Sequence, residues 1–134
     1  KQKLYDKLEP SGWALKLRGF IFSSDFDNII TQLARLSTDG KRFTPPLSQM
    51  FRAFEQCPVD QLKVIIVGQD PYPQFGIADG IAFSCSNTNE LQTSLSYILD
   101  EINRTVYKGH PGSLNLDLAR WSNQGVLMLN SALL

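Results

Sequence analysis

The chain has 134 residues, with 13 basic and 13 acidic side chains, one histidine and 43% hydrophobic residues. That length and apolar share fit one packed domain of the usual ~100–150 residues and exclude a disordered, fibrous or disulfide-built chain. Charge neutrality supplies no overall positive field for a nucleic-acid partner, although a local groove can differ from the net balance.

Cys57 and Cys85 stand far apart, with no Cys or His at ligand spacing, so no zinc site is expected and two reduced thiols are. No run approaches the ~18 apolar residues of a membrane span, and the basic start at Lys1, Lys3 and Lys7 lacks the apolar core of a signal peptide. A soluble, intracellular protein is the expectation.

Along the chain, Asp25 can cap a helix whose Phe26, Ile29, Ile30, Leu33 and Leu36 recur at helical spacing, with Gly40 ending it. A second helix is predicted after Pro45 and Pro46, with Leu47, Met50, Phe51 and Phe54 on one face and Pro58 stopping it. The unbroken apolar run Val64 to Val67 reads as a buried strand. It enters a loop holding Pro71, Pro73, Gly76 and Gly80, too rich in backbone breakers for helix or strand.

Ile81-Ala82-Phe83 is a short apolar return. Thr93 or Ser94 can cap a third helix bearing Leu95, Ile98, Leu99, Ile102 and Val106. The cluster Gly109-His110-Pro111-Gly112 reads as a turn, and a short helix from Leu116 to Ser122 precedes a second buried strand, Val126 to Leu129. Strands without period-2 polarity, alternating with helices, predict an α/β fold with a parallel sheet covered by helices on both faces.

Both strands end in a polar side chain, Asp70 just after the first and Asn130 at the end of the second. Open α/β sheets build their sites at that edge. No dinucleotide fingerprint, phosphate loop or nucleophile-elbow motif is present, and the lone His110 falls in a Gly/Pro turn. Asp-Pro dipeptides often do no more than cap a turn. What singles out Asp70 is its company: Gln69, Tyr72, Phe83 and Asn130 can line one crevice with amides, aromatic walls and a carboxylate, which suits a flat heterocycle with polar edges.

The stretch Lys63-Val64-Ile65-Ile66-Val67-Gly68-Gln69-Asp70-Pro71-Tyr72 resembles the water-activating motif of the major, family 1 type of uracil-DNA glycosylase. Ala82-Phe83-Ser84 resembles that family's base-stacking segment, and Trp121 to Asn130 resembles the segment ending in its uracil-reading asparagine. Pro45-Pro46 and Phe51-Arg52-Ala53-Phe54 match the run-up to the first strand, and the resemblance runs in the family's order from about Trp13 onward.

The resemblance implies hydrolysis of the N-glycosidic bond of deoxyuridine in single- or double-stranded DNA, as base excision repair requires, by a monomer without metal or cofactor. Such an enzyme flips the nucleotide out of the stack and reads its Watson–Crick edge. Asp70 is then the catalytic group that positions water and stabilises positive charge on the sugar. Phe83 stacks on the base, the Asn130 amide reads O4 and N3–H, and Tyr72 blocks the thymine methyl. The Gln69 backbone N–H faces O2, and Ser94 matches the serine of a loop that grips the DNA backbone.

Against the family pattern, Pro73 replaces a histidine, and Leu91-Gln92-Thr93 replaces prolines before Ser94. The family's second half, with its leaving-group histidine and DNA-inserting leucine, has no counterpart in the sequence. Residues 1–134 therefore read as the N-terminal portion of the domain, holding the first two of four parallel strands, with Val126–Leu129 expected to lack a neighbour. A replication partner or a proteinaceous glycosylase inhibitor is an implied partner. The compartment would be cytoplasmic in a bacterium, and nuclear or the host cell for a eukaryote or virus. The alternative is a glycosylase-fold subunit, of a kind some large DNA viruses use, that binds DNA or a replication partner with weak or no hydrolysis.

Overall fold

The computed structural model describes residues 1–88, 90–109 and 115–134. Two N-terminal helices that the sequence reading did not place come first, α1 (Gln2–Leu8) and α2 (Trp13–Ile21), packed against each other. Gly12 makes the tight link between them: its φ is +78°, and a Cβ there would strike the Val59 side chain. Leu8, Ala14 and Ile21 are buried, and Trp13 meets Phe54 edge-on at 5.1 Å while its Nε1 donates to the Cys57 carbonyl at 2.7 Å.

Helix α3 (Ser24–Thr38) begins two residues earlier than expected, because Ser23 rather than Asp25 is its cap. The Ser23 Oγ accepts from the Phe26 N–H at 3.2 Å from an extended backbone, while Asp25 and Asp27 lie in the first turn, where a negative charge suits the helix dipole. Of its apolar stripe Phe26 is buried, but Ile29, Ile30 and Leu36 stay about 40% exposed. The second predicted helix is broken in two. A 3-10 turn over Leu47–Gln49 is followed by α4 (Arg52–Gln56), which buries Ala53 and Phe54, with Phe51 buried just before it.

Strands β1 (Val64–Gly68) and β2 (Val126–Asn130) form a parallel pair in the register Val64 with Val126 through Gly68 with Asn130. The register is pinned at its start, where the Gly125 carbonyl accepts from the N–H groups of both Lys63 and Val64. Gly125 has φ +97°, and a Cβ there would run into the Gln61 carbonyl. Fixing that end puts Gly68 opposite Asn130, and a slip of one residue would turn every side chain to the other face.

The α/β class and the parallel pair agree with the sequence expectation, whereas the burial of the strands does not. Helices α4 and α6 (Ala119–Ser122) pack on β2, and Leu127 and Met128 are buried. In β1 the four apolar residues are 38–63% exposed. Among the described residues neither strand has a second strand neighbour, but the more exposed one is β1, while on the outer edge of β2 the Ala82 N–H donates to the Met128 carbonyl at 3.0 Å. Alternation cannot reveal this, since a strand built for two covered faces looks equally apolar wherever it stands in the sheet.

Helix α5 (Thr93–Thr105) buries Leu95 and is capped by neither Thr93 nor Ser94: Gln92 occupies that position without a side-chain bond, and both residues lie in the first turn. The last helix is shorter than the predicted span from Leu116. His110, Pro111 and Gly112 of the predicted turn lie outside the described residues. Cys57 and Cys85 are free and fully buried. Among the described residues no helix is long and apolar enough to cross a membrane, and no cluster of three or more His, Cys, Asp or Glu side chains could hold a metal ion.

Candidate active site

At the carboxyl ends of both strands lies a cavity of about 470 Å³, within the usual size of a small-ligand site. Gln69, Asp70, Tyr72, Phe83, Ser94 and Asn130 all line it, so the structure brings together every residue singled out from the sequence. Gln69 and Asp70 are exposed at its edge, and Tyr72, Phe83 and Asn130 are half-buried in its wall. Ser94 reaches it from the exposed first turn of α5.

The parallel register explains how Asn130 arrives. Its Oδ1 occupies the space a Cβ on Gly68 would need, and that same point is 3.4 Å from Phe83 Cζ. Only a glycine at position 68 therefore lets the amide and the ring edge meet over the strand end. After the strands, the two chains remain tied: Ser131 N–H donates to the Gly68 carbonyl at 2.9 Å, and the Gln69 carbonyl accepts from Ser131 Oγ at 2.6 Å and from Ala132 N–H at 3.1 Å. Those bonds fix the peptide that carries Gln69 into Asp70.

Tyr72 bridges two loops. Thr44 Oγ1 donates to its carbonyl at 3.1 Å, and its own hydroxyl donates to the Phe83 carbonyl at 3.1 Å. Burial pushes this hydroxyl up to about 12, with the Cys85 thiol and Asp79 adding to the shift. It stays protonated through the neutral range and remains a donor there. Burial likewise pushes the Cys85 thiol up and keeps it a neutral group.

Beneath the cavity is a polar hub absent from the sequence reading. Asp79 is wholly buried, 2.9 Å from an Arg52 guanidinium nitrogen, and Arg52 also forms a two-bond pair with Asp117 at 2.9 and 3.0 Å. A signal was there to be read. Asp79 is the one charge in Ile77-Ala78-Asp79-Gly80-Ile81-Ala82-Phe83, and Arg52 is the one charge among Phe51, Ala53 and Phe54. Isolated charges inside apolar runs must find partners when buried.

No protein-family model matches the chain. It is 47% identical over 89 residues to a uracil-DNA glycosylase of Amoebophilus asiaticus, a match covering 66% of this chain and 40% of the relative. To a uracil-DNA glycosylase of Lactococcus lactis subsp. cremoris it is 37% identical over 126 residues, covering 94% of this chain and 56% of the relative. The chain thus spans about half the length of the curated relatives it matches. Among solved structures, mimivirus uracil-DNA glycosylase superposes with a TM-score of 0.79 at 25% identity, covering 96% of this chain and 49% of that one. A variant of the same viral enzyme, solved in complex with UGI, gives 0.77 at 26% identity and covers 90% and 46%. Over the portion that it spans, the chain is a homologue of the uracil-DNA glycosylases.

Proposed function

We propose that the full-length protein is a uracil-DNA glycosylase of the family 1 type, of which residues 1–134 form the N-terminal portion. The observation that carries this reading is the convergence of Asp70, Tyr72, Phe83 and Asn130 on one cavity at the strand ends. Its substrate is uracil-containing DNA, single- or double-stranded, and its product an abasic site. It needs no metal or cofactor and works as an intracellular monomer. A proteinaceous inhibitor is a further partner, as UGI is for the mimivirus variant.

In this mechanism the flipped uracil slides along the Phe83 ring, and its edge meets the Asn130 amide. That amide donates to O4 and accepts from N3–H. Cytosine reverses both groups, and each mismatched buried pair costs about 1–3 kcal/mol. Tyr72, held at its carbonyl and its hydroxyl, stands where thymine carries its methyl, and overpacking there costs another ~1–3 kcal/mol. Asp70 orients water and offsets positive charge on the sugar as the base leaves, while the Gln69 N–H faces the anionic O2. Ser94, exposed at the rim, contacts the DNA backbone.

Uracil release from a defined oligonucleotide by the full-length protein tests the reading, and the rate should be unchanged by EDTA. DNA binding without release would instead favour a non-catalytic subunit of the same fold. Specificity checks the pocket itself. Asn130→Asp presents a carboxylate to the cytosine amino group and should admit cytosine, and Tyr72→Ala should admit thymine. An unchanged order of preference among uracil, cytosine and thymine substrates in both variants would refute these two roles.

A further inference from the structure

We propose that Asp79 is a positioning residue for Phe83, holding the aromatic wall in a backbone conformation it would not otherwise adopt; this rests on the reading of the cavity as a uracil site. Phe83 has φ +65°, the left-handed region that a bulky side chain occupies only when its surroundings over-determine it. The surroundings here are specific. Before it, Ala82 N–H is tied to Met128, and Ile81 N–H donates to Asp79 Oδ1 at 3.1 Å. After it, Ser84 Oγ donates to Asp79 Oδ2 at 2.6 Å, and Ser86 donates to the same oxygen from its N–H at 3.0 Å and from its Oγ at 2.6 Å.

One carboxylate therefore grips the chain on both sides of Phe83, with Arg52 compensating its charge at 2.9 Å. Only an acceptor-only group with two oxygens can take all these donors together. Ala78, Gly80, Ile81, Phe83 and Ser84 border the cavity, whereas Asp79 is turned away from it and does not line it. It acts through Phe83 and not on a ligand.

Asn in place of Asp79 keeps the volume but sets an NH2 group against donors, and Arg52 retains Asp117 as a partner. The test uses the full-length protein and measures kcat, KM and Tm for wild type, Asp79→Asn, Phe83→Ala and the double variant on a single-stranded uracil oligonucleotide. Asp79→Asn should lower kcat/KM about tenfold at temperatures well below its Tm, and should cost nothing further once Phe83 is alanine. Ser86→Ala, which removes a single donor, should show a smaller loss that vanishes in the same background, and it carries the test if Asp79→Asn does not fold. A lowered Tm with kcat/KM within about twofold of wild type, or losses that multiply in the double variant, would overturn the proposal. Failure of the wild type to release uracil would overturn the site reading and this inference with it, whereas losses that multiply in the double variant would overturn this inference alone.

Discussion

Asp70→Asn in the full-length protein is expected to retain DNA binding while slowing uracil release by at least about a hundredfold, the low end for a positioned catalytic group. The substitution keeps the shape of the side chain and one oxygen. What disappears is the negative charge, at a place where two features concentrate its effect. Asp70 directly follows the peptide that Ser131 and Ala132 clamp, so its carboxylate is delivered at a fixed height above the end of β1. It also lies at the exposed edge of the cavity, within reach of water, while Tyr72, Phe83 and Asn130 form its half-buried wall. In the proposed mechanism a charge so placed acts on the sugar as it becomes cationic and is worth little in the ground state, so the loss should fall on kcat rather than on binding. Single-turnover release measured beside binding anisotropy separates the two, and unchanged turnover would remove Asp70 from its assigned role.

How much of this was legible in the sequence depends on which physical rule governed each element. Asp70 and Asn130 were readable because an apolar strand that ends in a polar residue delivers it to the sheet edge, and parallel pairing sends both strand ends the same way. The α3 stripe was readable from its spacing, but its cap was not: Ser23 and Asp25 are both good cap residues two positions apart, and only the backbone distinguishes them. The break between Leu47–Gln49 and α4 was hidden because Leu47, Met50, Phe51 and Phe54 keep helical spacing across it. The exposure of β1 was beyond reach, since which strand lies at the flank is a property of the whole sheet. Asp79 was passed over as part of a Gly-rich loop, although an aspartate alone in an apolar run signals a buried polar network.

The exposure of β1 sets the largest effect on solution behaviour. Residues 1–134, expressed by themselves, are expected to self-associate or precipitate and to show no cooperative unfolding transition. Val64, Ile65, Ile66 and Val67 are 49%, 55%, 38% and 63% exposed on a strand paired along one side with β2, and an apolar strand with an open edge is a template for another. On the outer side of β2 the Met128 carbonyl is already taken by the Ala82 N–H, and Leu127 and Met128 are buried. Association should therefore run through β1, and charge placed on it should relieve the effect. Ile65 is 55% exposed and, unlike Val67, does not line the cavity, so Ile65→Lys should raise the soluble, monomeric fraction severalfold without touching the site. Light scattering and a urea titration on both proteins check this. A 134-residue chain that is already monomeric and unfolds in one sharp transition would show that these exposed side chains do not drive association, and an equal effect from lysines placed on α5 would show that the edge is not the cause.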